Sequence, residues 1–136
     1  MSDGAKLAAF LRERGIRDER VLGAMARVPR DLFVPAAQRD RAWDDRALPI
    51  GHRQTISQPF MVATIAAALE LSGDERVLDV GAGSGYQAAV LAELAREVVA
   101  IELVPELPRR ARETLAGAGY GRVEIRGGDG ALGAPE

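Results

Sequence analysis

Apolar residues change their spacing about halfway along this chain: they recur at helical intervals up to about residue 70 and then gather into short unbroken runs. Leu7, Phe10 and Leu11 share one face of a short helix that ends near Gly15. A second helix is marked more fully. Asp18 can cap its start, Val21, Leu22, Met25 and Val28 follow at three- and four-residue steps, and Pro29 stands just past its end. Arg30-Asp31-Leu32-Phe33-Val34-Pro35 reads as an extended link, because a residue before proline is biased away from the helical region. Met61, Val62, Ile65, Ala66 and Leu69 form a third apolar face. Pro59 suits the first turn of that helix, and Ser57 or Gln58 can cap it. The intervening stretch, Leu48 to Pro59, is polar at its centre and without periodicity, which predicts a loop feeding the helix.

The unbroken runs lie around Val77 to Val80, Val98 to Ile101 and Val123 to Ile125, and each predicts a strand buried in a parallel sheet. The first run stops at Gly81-Ala82-Gly83-Ser84-Gly85-Tyr86, where missing Cβ atoms permit a tight turn and close approach of a ligand. Gln87 to Leu94 is rich in helix formers, so free N–H groups of a helix start point into the turn. Strand, turn and helix together predict a small-molecule site. Glu102 ends the second run, roughly 20 residues past the glycines, where dinucleotide folds place an acid that accepts from ribose hydroxyls. The alternative, an incidental glycine-rich turn, leaves Glu102 unexplained. The dinucleotide pattern G-x-G-x-x-G requires glycine where this chain has Tyr86. Gly81-x-Gly83-x-Gly85 instead resembles the first motif of S-adenosylmethionine-dependent methyltransferases.

Composition narrows the options. A chain of 136 residues with a net charge of -2, its arginines interleaved with acids, carries no basic footprint for nucleic acid. Without cysteine there is no disulfide, thiolate nucleophile or cysteine zinc site. No run approaches membrane length and the start lacks an apolar signal core, so a cytoplasmic location without membrane contact is expected. Trp43, the single tryptophan, reads as a core or lid anchor before a stacking platform, and His52, the single histidine, as a solvent-facing loop residue. Ser57 has two readings that local sequence does not separate: a helix cap, or a hydroxyl that joins Thr55 in offering donors to an anionic group.

Leu48-Pro49-Ile50-Gly51 and Gln54-Thr55-Ile56-Ser57-Gln58-Pro59, together with the run from Val77 to Leu91 and Gly128-Asp129-Gly130, resemble protein-L-isoaspartate O-methyltransferases. Val28-Pro29-Arg30 and Phe33-Val34-Pro35 extend the resemblance, which covers nearly the whole chain. It implies an α/β, Rossmann-like S-adenosylmethionine-dependent methyltransferase fold with an N-terminal helical extension, cut off after the third strand. Residues 1–58 would be the helical extension and catalytic loop, and 59–136 a partial cofactor-binding domain. By resemblance, Asp79, Gly81, Gly83, Ser84 and Gly85 would line the methionine and sugar part of the cofactor. Glu102 would hold the ribose, Leu103 would lie beside the adenine, Asp129 would accept from its amino group, and Gly130 would let the ring approach. Thr55, Ile56, Ser57 and Gln58 would form the catalytic loop, Ile56 on the cofactor side and Ser57 as the family's usual active-site residue.

The implied reaction methylates the free carboxylate of L-isoaspartyl or D-aspartyl residues in damaged proteins or peptides, initiating their repair and leaving S-adenosyl-L-homocysteine. That carboxyl is already ionised at neutral pH, with a pKa of about 3 to 4. Neither a general base nor a metal is required. Two rivals stand beside this reading: a non-catalytic cofactor-binding fragment, and a nicotinamide-dependent oxidoreductase, which Tyr86 and the long N-terminal extension disfavour. An unpaired edge on the first strand would also favour self-association.

Overall fold

The computed structural model describes residues 1–128. Helix α1 (Asp3–Glu13) starts under the Ser2 hydroxyl, which accepts from the Ala5 N–H at 3.1 Å. Helix α2 (Glu19–Arg27) starts under Asp18, which accepts from the N–H groups of Arg20 and Val21, as its sequence predicts. Gly4 meets the Ala26 main chain so closely that a methyl group there would overlap it, so the two helices pack backbone to backbone. Leu7, Leu11, Val21, Leu22, Met25 and Val28 are buried, whereas Phe10 is partly exposed.

The link that follows is tighter than expected. Arg30–Phe33 forms a 3-10 turn, closed by the Leu32 N–H on the Pro29 carbonyl, and buries Arg30 and Phe33. Proline's restriction reaches only Val34, which is extended at φ -118° and ψ 153°. A second 3-10 stretch covers Ala36–Arg41. The expected loop before the third helix is an antiparallel hairpin, β1 (Leu48–Gly51) with β2 (Gln54–Ile56). Its tip, His52-Arg53, holds positive φ at both residues, the geometry that two-residue hairpins need but that normally selects Asn and Gly.

Helix α3 (Pro59–Ala68) leads into a sheet of β3 (Arg76–Val80), β4 (Glu97–Glu102) and β5 (Glu124–Gly127). The strands are parallel in the order β3-β4-β5, joined by α4 (Tyr86–Ala92) and α5 (Leu107–Gly117). These are the three strands that the apolar runs predict, but β3 is not the buried strand expected: of its five residues only Asp79 is buried. Val98, Ala100 and Ile125 point into one continuous core that also takes side chains from all five helices and the hairpin. The opposite face carries Leu78, Val80, Val99 and Ile101, which the strand register aligns in neighbouring pairs. Leu78 and Val80 are 44% and 57% exposed. The apolar face of α3 is likewise only half used: Val62 and Ala66 are buried, but Met61, Ile65 and Leu69 are exposed, contrary to the single buried face expected. Among the described residues, β3 pairs only with β4, no helix is long and apolar enough to cross a membrane, and no acid or histidine cluster suits a metal.

Candidate cofactor and acceptor site

The three glycines of the turn after β3 serve different ends. All have positive φ: Gly81 at 83°, Gly83 at 54° and Gly85 at 90°. A Cβ at Gly81 would meet nothing within 4 Å, so this position borders open space. At Gly85 it would press on Leu115 and Ala111, so here the missing side chain lets α5 approach. At Gly83 it would lie 3.8 Å from Ile50 Cδ1 and 3.9 Å from the Thr55 carbonyl, where the hairpin crosses the turn. The N–H groups of Gly81 and Ala82 donate to the Ile101 carbonyl at 2.7 and 3.0 Å, which docks the turn on the end of β4. Ser84 accepts the Tyr86 N–H at 3.2 Å, just ahead of Gly85, the cap residue of α4.

Glu102 completes that docking. Its buried carboxylate accepts from the Gly83 N–H at 2.7 Å and from the Val104 N–H at 2.9 Å, tying the turn to the β4–α5 connection. Each carboxylate oxygen retains further acceptor capacity, so a ribose diol would add to these bonds. Leu103, next in the chain, is 68% exposed, an apolar side chain held at the mouth of the turn. Gly128 donates its N–H to the Glu102 carbonyl at 2.9 Å. Asp129 and Gly130, the expected adenine contacts, lie outside the described residues.

Asp79 is the least satisfied acid of the site. It is buried at the end of β3, with Oδ1 accepting from Gln87 Nε2 at 3.0 Å and Oδ2 without a hydrogen-bond partner among the described residues. Burial pushes its carboxyl up to about 6; the Gln87 bond opposes the rise and the Glu102 charge adds to it. A buried carboxylate oxygen with an open lone pair favours a ligand that brings a donor or a positive charge.

Across the turn, Thr55 and Ser57 are exposed, and neither hydroxyl has a hydrogen-bond partner among the described residues. Ile56 between them is buried, its side chain in the core. Neither Ser57 nor Gln58 caps α3, contrary to expectation. Asp45 does so from a distance in sequence: Oδ1 accepts the Phe60 N–H at 2.8 Å, and Oδ2 accepts from Gln58 Nε2 at 3.0 Å. His52 sits exposed at the hairpin tip, 3.8 Å from Glu106, and Trp43 is half-buried against the core. Asp45, Gln87 and the buried Arg30 are site residues that local sequence patterns do not mark.

A parallel sheet with a glycine turn at the end of its first strand, an acid at the end of the second and helices on one face defines a Rossmann-like cofactor-binding unit of the methyltransferase kind. A solved structure titled protein-L-isoaspartate O-methyltransferase superposes with a TM-score of 0.86 at 27% identity, covering 96% of this chain and 43% of that one. Another, from Plasmodium falciparum and in complex with S-adenosyl-L-homocysteine, superposes at 0.74 with 25% identity, covering 92% of this chain and 62% of that one. The sequence model of the family Protein-L-isoaspartate(D-aspartate) O-methyltransferase matches residues 2–136, and the chain belongs to that family. Protein-L-isoaspartate O-methyltransferase 2 of Anaeromyxobacter sp. (strain Fw109-5) is 62% identical over 126 residues, 93% of this chain and 52% of that protein. The chain thus spans about half the length of that relative.

The raised Asp79 carboxyl yields a pH-dependent prediction. Its folded pKa of about 6 lies above the ordinary 3.8, so the fold favours the protonated acid. That contribution is full below pH 4 and is lost as pH rises through 6, a loss of roughly 3 kcal/mol by neutral pH. Asp79→Asn should therefore gain stability over the parent as pH is raised from 4 to 7. Thermal melts at a series of pH values check this; parallel curves for the two proteins would refute it.

Proposed function

We propose that this chain carries the S-adenosylmethionine site and the acceptor loop of an isoaspartyl methyltransferase, residues 59–136 forming the cofactor half and 1–58 the acceptor side, in the cytoplasm. The observation that carries this reading is the crossing of the hairpin over Gly83, which sets Thr55, and through it Ser57, against the glycine turn. Gly81, Gly83, Ser84 and Gly85 would line the cofactor's methionine and sugar, and Asp79 Oδ2 would accept from its ammonium group. Glu102 would accept from the ribose and Leu103 would pack on the adenine, with Asp129 and Gly130 closing over the ring.

When bound, this cofactor supplies a methyl group on a sulfonium, which needs no metal for activation. The acceptor is a carboxylate of an isoaspartyl or D-aspartyl residue, ionised at neutral pH. What remains for the protein is alignment and removal of water. Thr55 and Ser57 hydroxyls suit that task because their donors are not committed elsewhere, and Gln58 is held in place by Asp45. The partners that fit are damaged polypeptides; the net charge of -2 offers no attraction to nucleic acid.

Calorimetry is expected to show binding of S-adenosylhomocysteine in preference to NAD. Glu102→Ala should weaken it by about 1.5 to 3 kcal/mol, the usual worth of a charged acceptor. Tighter binding of NAD, or unchanged affinity in the variant, would refute the assignment.

Ser57→Ala, placed in a protein of its relatives' length, should lower turnover of an isoaspartyl peptide far more than cofactor affinity, because the interaction matters at methyl transfer. Equal activity would remove Ser57 from the reaction.

The 136-residue chain by itself is expected to self-associate and to methylate such a peptide negligibly. Leu78 and Val80 on the sheet, with Met61, Ile65 and Leu69 on α3, leave apolar surface open beside an edge strand. Light scattering after size exclusion should give a mass above 14.5 kDa, and Val80→Lys should reduce it. A monomeric, fully active parent would overturn this expectation.

A further inference from the structure

Among the described residues Arg30 is the only buried cationic side chain, and its exposure is 0%. No carboxylate pairs with it directly; instead four main-chain carbonyls converge on its two terminal nitrogens. Nη1 donates to Ala42 at 2.5 Å and Asp44 at 3.1 Å, and Nη2 to Arg46 at 3.0 Å and Ser57 at 3.1 Å. The guanidinium also lies over the Tyr86 ring, 5.5 Å from its centroid, at the first residue of α4 beyond the glycine turn. Burial lowers its pKa, opposed by the charges of Asp44 and Asp45. Retaining a cation here is costly unless its donors are used; the four terminal N–H groups each have a carbonyl to meet, while Nε has no hydrogen-bond partner among the described residues. An ammonium has three donors and cannot meet all four.

Three of the four carbonyls belong to residues 42–46, which include Asp45, the cap of α3. The fourth belongs to Ser57. Arg30 therefore holds both ends of the structure that fixes the acceptor loop, and its aromatic contact ties that loop to the cofactor side. We propose that Arg30 is a positioning residue for acceptor methylation: it sets Ser57 through the Ser57 carbonyl and Asp45 through its neighbours, without touching substrate. The proposal rests on the methyltransferase reading for its consequence, but its geometry can be tested apart from it.

The test uses this chain, unmodified and as Arg30→Lys and Arg30→Met. Hydrogen exchange should quicken by about tenfold or more at the amides of Ile56 and Phe60, while those of β4 and α4 change less than twofold. Lysine should restore part of the protection that methionine loses. Calorimetry with S-adenosylhomocysteine should give an affinity within about twofold of the parent. Exchange that quickens evenly across the fold, or not at all near Ser57, would overturn the proposal. If both variants fail to fold, NMR of the unmodified chain decides: a coupling between an Arg30 terminal nitrogen and the Ser57 carbonyl carbon is expected, and a freely rotating guanidinium would overturn it. Failure to bind S-adenosylhomocysteine at all would count against the methyltransferase reading while the exchange result still judged Arg30.

Discussion

The site depends first on one carboxylate at the end of β4. Glu102 accepts from the Gly83 N–H in the turn and from the Val104 N–H in the next connection, and so converts a glycine-rich segment into a fixed surface. Gly81, Gly83 and Gly85 all hold positive φ, and glycine loses more conformational freedom than any other residue when it is fixed. The Ile101 carbonyl adds two more bonds from the same strand end. Shape in the turn is thus imposed largely by β4, with the Ser84 hydroxyl adding a bond to the Tyr86 N–H. Parallel pairing of β3 with β4 brings the two strand ends together, with Asp79 beside Ala100 and Val80 beside Ile101.

That juxtaposition has a cost. It sets Asp79 and Glu102, two buried acids, close enough for the Glu102 charge to help raise the Asp79 carboxyl, with one Asp79 oxygen left unpaired. Two backbone donors satisfy Glu102, whereas Asp79 has only the Gln87 amide. An unpaired buried acceptor is unfavourable in the ligand-free protein and favourable to a ligand that supplies the donor, so the same atom opposes stability and supports affinity.

Much of the architecture is legible in the sequence because it follows from apolar patterning. Val77 to Val80 and Val98 to Ile101 are short apolar runs between breakers, and both form strands; Asp18 and the spacing from Val21 to Val28 give α2 with its cap. The hairpin is not legible for a specific reason. Its strands are four and three residues long, one contains Pro49, and its turn is His52-Arg53, which must hold positive φ without the glycine or asparagine that announces such a turn. Its register is set instead by burial of Leu48, Ile50 and Ile56. The split face of α3 was hidden for the opposite reason: Met61, Ile65 and Leu69 have the periodicity of a core row, but nothing among the described residues covers them. Of the site, the turn residues and Glu102 are readable from spacing. The cap of α3 is not, because Asp45 reaches Phe60 across a hairpin that the pattern does not show.

The chain repeatedly uses long side chains to finish main-chain structure. Arg20 reaches the carbonyls of Leu71 and Leu94, Arg122 that of Ala92, Arg112 that of Ile125, and Arg110 that of Ile50. Carbonyls near helix and strand ends lack ladder partners, and a guanidinium supplies several donors at once while its stem packs on apolar neighbours. Applied to the acceptor loop, the same device separates two demands that compete in a short polar segment. If Ser57 capped α3, its hydroxyl would point along the helix and be spent on a backbone N–H. With Asp45 meeting the Phe60 N–H and Arg30 meeting the Ser57 carbonyl, the main chain is anchored from outside and the hydroxyls of Thr55 and Ser57 stay uncommitted. An exposed serine beside the glycine turn is then a consequence of where the caps lie, and a segment too irregular to read as a regular element is anchored by side chains distant in sequence.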